Sequence, residues 1–578
     1  LLVVVLILAA GRAGAAAKNP GTIVYASYAD SAGFDPDWEQ DMSPLFNVYE
    51  PLLAFRGAGV GARDLEPRLS ASVPTRENGL ISADGLTYRF PIRKGVKFSD
   101  GSPLTPEDVR YSLLRFMLMD RSGGPSAFLL EPILGVTTTR PGGRVLEGLG
   151  ARAFSAVTVD GDSVVVRLRA PFAPFLSVLT NYGRVVSKAW CAAHGQWDGG
   201  AATWARFNDP DRASALPDDA ADGTGPFRLE RYDRDTREIV LARNEHYWRA
   251  LAKLRRVVIK SVPEFLTRKL MLQAGDADVI AVSPLNAPQL AGLDGVRLTG
   301  GLRKIQLGTL LAFNAAVSTS ANPNLGSGVL GENGVPPDFF ADKDVREGFA
   351  RSIDADSYLR DILRGAAEPS SGLIPPGLVG YRKDPSRYPF DLQAAEASFR
   401  RARGGEVWEK GFRAALVYAT GREDNDVLCR MIKKNVESLN PRFHVDVRGL
   451  LGAAALEQTY ARKAPLFLTS WTADYPDSHN FAFALLHSNG SLALQGGMTS
   501  RRADALIEEA AGTLDEKKRA ELYGKLRDIV DEELPYAPIG DMTHFRAERT
   551  WVKGFVFNPA AHGLPYDSDY YQLDKVAD

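Results

Sequence analysis

The residues best placed to do chemistry lie in 465–481, PLFLTSWTADYPDSHNF. A short apolar strand, Pro465 to Ser470, runs directly into Trp471, Thr472, Ala473, Asp474, Tyr475, Pro476 and Asp477. Ligands of open α/β sheets gather beyond the carboxyl ends of the strands. At such a place Trp and Tyr offer a flat apolar wall with a polar handle. A carboxylate there pairs with a cationic group more strongly than it would in water. The plainer reading has Asp474 capping a turn and Trp471 filling core, and spacing alone leaves both open.

Other chemistry is sparse. The seven histidines (194, 246, 444, 479, 487, 544 and 562) include no pair at the HExxH spacing of a metal-hydrolysing helix. Cys191 and Cys429 have no CxxC neighbour, and no nucleophile elbow, phosphate loop or dinucleotide fingerprint is present. No cofactor and no metal site are expected. His479 and His487 read as polar loop or surface residues. Lys+Arg total 69 against 71 Asp+Glu, a net charge of -2. That balance, without a long basic run, argues against nucleic acid as a partner.

The elements that must position the 471–477 segment are partly legible. A chain of 578 residues exceeds one core and divides into at least two lobes. Hydrophobic residues at 45% and charged residues at 24% are those of a folded protein. Leu86, Tyr88, Phe90 and Ile92 alternate with polar residues as a half-buried strand, and Pro91 suggests an edge. Thr105, Pro106 and Asp108 start a helix with a capping-box-like pair, with Val109, Leu113, Leu114 and Met117 as its apolar stripe. Residues 412–448 read as strand, helix, strand, a parallel crossover in an α/β fold. Thr513 and Glu516 read as a capping box for a helix that Pro535 stops. Two Gly/Pro/Asn/Ser-rich stretches, 208–226 and 317–341, have no periodicity, and the second reads as a surface insertion or a boundary.

Residues 1–10, LLVVVLILAA, are too few to span a bilayer and have the length of a signal-peptide core. Small residues at 13–17 fit a cleavage site, so 1–17 is expected to be a signal peptide and the mature protein to be exported, with no cysteine nearby for a lipid anchor.

Several separated blocks carry a family resemblance. They are Phe34-Asp35-Pro36 with Asn47-Val48-Tyr49-Glu50-Pro51-Leu52-Leu53; the run from Leu86 through Lys94-Gly95-Val96-Lys97-Phe98-Ser99-Asp100-Gly101 to Thr105-Pro106-Glu107-Asp108-Val109; Gly223-Thr224-Gly225-Pro226-Phe227 with Arg243-Asn244 and Tyr247-Trp248; and Ala312-Phe313-Asn314, Asp344-Val345-Arg346 and Ile374-Pro375-Pro376. In this order, over most of 20–560, they resemble the extracytoplasmic solute-binding proteins of ABC importers, in the class that includes dipeptide- and oligopeptide-binding proteins (family 5).

The resemblance implies an α/β, two-lobed periplasmic-binding-protein clamshell with an extra subdomain in the first lobe. Lobe I would hold 18–300, with the subdomain at about 75–205. Lobe II would hold 301–535, and 536–578 would return to lobe I. It implies a periplasmic monomer, not an enzyme, that captures a small peptide between its lobes and delivers it to a membrane ABC permease. Asp474 would accept the peptide α-ammonium. Backbone groups of Trp471, Thr472 and Ala473 would pair with the peptide main chain, Tyr475 would line the same cleft and Trp38 would form part of its wall. The partner of the peptide carboxylate stays open among many basic residues, Arg303, Lys304 and Arg360 included. The alternatives are a non-peptide solute (an oligosaccharide, an opine-like conjugate or a metal chelate) and an exported hydrolase. A disulfide between Cys191 and Cys429 is not expected, since it would tie lobes that must move.

Overall fold

The computed structural model describes residues 17–28, 33–38, 43–56, 65–384, 387–560 and 569–576. The expected leader, Ala17 apart, lies outside the described residues. The chain builds two large sheets and crosses between them twice. In the first, the strand order is Val296–Leu302, His544–Arg549, Val279–Val282, Thr22–Ser27, Arg256–Ser261, Glu238–Arg243, Phe227–Asp233. Thr22–Ser27 runs parallel to both of its neighbours. In the second, the order is Ala367–Pro369, Tyr536–Met542, Gln306–Phe313, Leu466–Thr472, Phe412–Ala419, Phe443–Leu450.

The first crossing occupies 303–305 and the second Thr543. The expected division at 535 falls before strand Tyr536–Met542. That strand pairs with Gln306–Phe313 in the second sheet, so the change of sheet comes only at Thr543. Strand Gln306–Phe313 is buried throughout, as a central strand covered on both faces must be. Its Gly308 is required by a close approach: a Cβ there would sit 2.1 Å from the Gly540 carbonyl oxygen.

Between Thr22–Ser27 and Phe227–Asp233, the first two strands of the first sheet in chain order, lies a smaller unit. It has a three-stranded sheet, Thr87–Pro91, Ser163–Arg167 and Val157–Asp160, with the Pro91 strand at its edge. Helix Pro106–Met119 starts as its sequence predicts, with Thr105 and Asp108 capping each other. Its expected apolar stripe is buried, but so is Arg115, fully, on what periodicity makes a polar face. Arg115 donates to both carboxylate oxygens of Asp35, at 3.0 and 2.8 Å, and also pairs with Asp37.

The blocks that carry the resemblance converge on such contacts. Glu50, buried, accepts from Trp248 Nε1 at 2.7 Å, Tyr247 Oη at 3.1 Å and Thr224 Oγ1 at 3.3 Å. Gly223 and Gly225 lie against the backbone of 47–48, and a Cβ on Gly223 would come within 2.1 Å of the Val48 carbonyl oxygen.

Two expectations change. Helix Glu516–Glu533 is capped by Asp515, which accepts from the Lys518 N–H at 2.8 Å. Thr513 instead ends the preceding helix, its hydroxyl donating to the Glu509 carbonyl at 2.7 Å. The 317–341 stretch is not simply surface. It contains strand Gly326–Gly331 and places Phe339 and Phe340 in the second lobe's core. Cys191 and Cys429 are buried free thiols, in separate core clusters.

Candidate functional site

The second sheet opens where two of its parallel strands part. Phe412–Ala419 and Leu466–Thr472 pair through Leu416 with Leu466 and Val417 with Phe467. Beyond that register a cavity of about 330 Å³ lies between them, lined by 417–420 on one side and 467–471 on the other. The chain leaves Phe412–Ala419 through helix Glu423–Leu439 to the neighbour on one side, and reaches Leu466–Thr472 on the other side from Phe443–Leu450 through helix Gly452–Tyr460. This is a topological switch point, where open sheets leave a crevice at the carboxyl ends of their strands.

Trp471 lines the cavity. Its indole N–H donates to Asn480 Oδ1 at 2.8 Å, which fixes the ring. Trp471 and Thr472 are opposite Leu307 and Gln306 in the antiparallel ladder. Of the three backbone segments expected to face a ligand, the Ala473 N–H is already engaged, donating to the Ile305 carbonyl at the crossing, 3.3 Å away.

Asp474 is half-buried, lies beyond the residues that line the cavity, and begins the turn into helix Ser478–Leu486. Asn480 Nδ2 donates to its carboxylate at 2.9 Å, while Asn181 of the first lobe's subdomain donates to its carbonyl at 2.5 Å. Among the described residues no basic group forms an ion pair with it. Burial pushes its pKa up to about 6, against the Asn480 hydrogen bond. Three residues on, Asp477 has the opposite environment. Arg519 donates to both its oxygens, at 2.7 and 3.2 Å, and holds its pKa below the ordinary value despite burial. Of these two neighbouring carboxylates, the buried Asp477 is thus neutralised within the fold, and the half-buried Asp474, among the described residues, is not.

Tyr475 is buried and does not line the cavity. Its hydroxyl oxygen lies 2.8 Å from His479 Nδ1, and its ring meets Phe128 of the subdomain edge-on. His479, expected at the surface, is buried on helix Ser478–Leu486, with Phe172 against its ring. Burial lowers its pKa to about 4, so it is neutral at pH 7. His487 is buried too. The surface reading is corrected for His479, which helix Ser478–Leu486 carries into contact with the subdomain, while His487 sits in the bend just after that helix, against Phe483. Trp38 is half-buried in the first lobe between the guanidinium groups of Arg121 and Arg212, 4.9 and 5.4 Å from the ring centre.

Among the described residues, the one charged side chain on the cavity wall is Arg422, just before helix Glu423–Leu439. It pairs with buried Asp424, whose other partner is the Tyr358 hydroxyl at 3.0 Å. Burial works against the guanidinium's charge, but Asp424 outweighs it and raises the pKa. Of the basic residues singled out by sequence, Arg303 is tied to Glu368 and Asp541 at the crossing, and Arg360 to the adjacent Asp361. Lys304 is buried at the crossing. Sequence reasoning missed Arg422. The available signal was its position, directly after the second strand whose carboxyl end forms the crevice.

No helix among the described residues is long and apolar enough to cross a membrane. The family model for bacterial extracellular solute-binding proteins, family 5, matches residues 64–493, and the chain belongs to that family. It is 24% identical to Di/tripeptide-binding protein 2 of Pseudomonas aeruginosa (strain UCBPP-PA14), over 96% of each chain. It is 25% identical to Heme-binding protein A of Haemophilus influenzae, over 96% of this chain and 93% of that protein. The fold matches the periplasmic binding protein DppA from Helicobacter pylori, solved with the peptide STSA. The TM-score is 0.71 at 21% identity, over 96% of this chain and 98% of that one.

Proposed function

We propose that this protein is an exported, periplasmic receptor that captures a short peptide between its lobes and delivers it to a membrane ABC permease, working as a monomer and without catalysis. The observation that carries the reading is the carboxylate of Asp474, half-buried, oriented by Asn480 and, among the described residues, without an ion-pair partner. An α-ammonium supplies the missing charge. Arg422, across the cavity wall from the 467–471 strand, takes the peptide carboxylate. The edge of Leu466–Thr472 that parts from its parallel neighbour offers main-chain groups to an extended ligand, a sequence-tolerant mode of recognition. The peptide-binding names of Di/tripeptide-binding protein 2 and of the DppA complex support the same ligand class. Trp38, held between two arginines, is the site residue with the least support.

Calorimetry with free di- and tripeptides and their N-acetylated counterparts tests the reading. Binding of the free peptides, lost on acetylation, is expected. Equal binding of both forms removes Asp474 from its role, and binding of haem or a metal chelate in place of peptides replaces the ligand class. Release of cleaved products on incubation with peptides or esters would turn the protein into a hydrolase.

A further inference from the structure

The cavity is not equally welcoming to all side chains. Apart from Arg422 its wall carries no charged residue among those described. Its lining combines apolar Val417, Phe467, Leu468 and Leu492 with uncharged polar groups such as Thr309 and Thr469. At its mouth, helix Gly452–Tyr460 presents Leu456 and Tyr460, 57% and 63% exposed although both belong to the cavity lining. Leu494 of helix Ser491–Gly496, next to the lining residue Gln495, is 51% exposed. Single exposed apolar residues are ordinary, but a cluster continuous with a binding cavity marks a surface that a partner covers.

We infer that Leu456 and Tyr460 form a selectivity lip, so that this receptor takes peptides with large uncharged, apolar side chains and rejects acidic and lysine-bearing ones. The occupant of the lip is the ligand's own side chain, because the lip is continuous with the cavity that holds Trp471 and Arg422. An apolar side chain gains by leaving water there, at about 25 cal/mol per Å² of buried apolar surface. A carboxylate or ammonium in the same place loses its hydration without finding an opposite charge, except for Arg422, which the peptide terminus occupies. The inference rests on the peptide-binding reading.

The test is a calorimetric panel of Leu-Leu, Phe-Phe, Gly-Gly, Glu-Glu and Lys-Lys against the native protein, Leu456→Asp and Tyr460→Glu, with N-acetyl-Leu-Leu as a control. Both variants alter exposed residues, and an unchanged melting temperature verifies the fold. The native protein is expected to bind Leu-Leu and Phe-Phe at least tenfold more tightly than Glu-Glu or Lys-Lys. Each variant is expected to reduce that preference at least tenfold while changing Gly-Gly affinity less than threefold. Equal native affinity for all five peptides overturns the selectivity lip and leaves peptide capture standing. So does a uniform loss across the panel in the variants, which would place the lip against the opposite lobe or the peptide main chain. Absence of binding by every free dipeptide overturns both.

Discussion

Asn480 holds Asp474 from two directions: its amide nitrogen donates to the carboxylate at 2.9 Å, and its amide oxygen accepts from the Asp474 backbone N–H at 3.2 Å. The same oxygen receives the Trp471 indole N–H at 2.8 Å. One side chain therefore sets the position of an aromatic wall and of the nearby carboxylate, so a ligand meets both already oriented. Preorganisation of this kind removes part of the ordering cost of binding.

A carboxylate buried for a ligand costs stability when the ligand is absent. The difference between about 6 and the ordinary value for Asp474 is equivalent to at most roughly 3 kcal/mol at neutral pH. Its partial exposure to solvent reduces this to about 1 kcal/mol. Asp474→Asn keeps an acceptor for Asn480 and removes the charge. In chemical denaturation at pH 7 without ligand it is expected to stabilise the protein by about 1 kcal/mol, while weakening binding of a free peptide by about 1.5–3 kcal/mol. A destabilised variant would make Asp474 a turn residue.

The pH dependence has a definite sign. The folded pKa of Asp474 is raised, so its contribution to the stability of the empty protein is greatest below the unfolded value of 3.8 and is lost as pH rises through about 6. Ligand binding runs the other way, since an ammonium needs the ionised form. Peptide affinity is expected to be flat above pH 7 and to fall toward tenfold per pH unit below about 6. Buried His479, with its pKa lowered to about 4, does not titrate in that window. Titration calorimetry from pH 5 to 8 checks this, and an affinity constant across the range would remove Asp474 from ligand contact.

Legibility followed the range of the forces involved. The crossover at 412–450 and the helix starting at Thr105 were readable because periodicity and capping are local. Trp471 and Asp474 were readable as the abrupt end of an apolar strand. The burial of Arg115 was not, because Asp35 and Asp37, which neutralise it, lie about eighty positions away in sequence. His479 misled for a similar reason: the helix that carries it packs on a subdomain built from the other end of the chain. The blocks with the strongest resemblance mark contacts such as Glu50 with Trp248. They report the scaffold, and they say little about the solute.

Arg422 separates recognition of the ligand's two ends. Arg422→Gln is expected to weaken a free dipeptide by roughly tenfold to a hundredfold, the worth of a hydrogen bond to a charged group. The C-terminal amide of the same peptide should bind the native protein and the variant almost equally. Because Asp424 loses its partner in the variant, some stability loss is expected as well, and the acid-to-amide comparison is insensitive to it. Equal weakening of acid and amide would place the carboxylate elsewhere.

Asp477 gives the contrasting case within the same turn. It caps helix Ser478–Leu486 through the His479 N–H at 2.8 Å and pairs with Arg519, both side chains almost fully buried. Its depressed pKa means that its contribution is present at neutral pH and is lost as pH falls through the folded value. Asp477→Asn strands the Arg519 charge in the core, and removing one partner of a buried pair typically costs about 3–5 kcal/mol. The expected outcome in denaturant melts is a large loss of stability. Under conditions where the variant remains folded, the ratio of free to N-acetylated peptide affinity should be unchanged. Asp474→Asn should give the reverse pattern: a stable fold in which that ratio collapses. If both substitutions destabilised alike and left the ratio intact, the two carboxylates would share a purely structural role, and the ammonium would have to be received somewhere other than at Asp474.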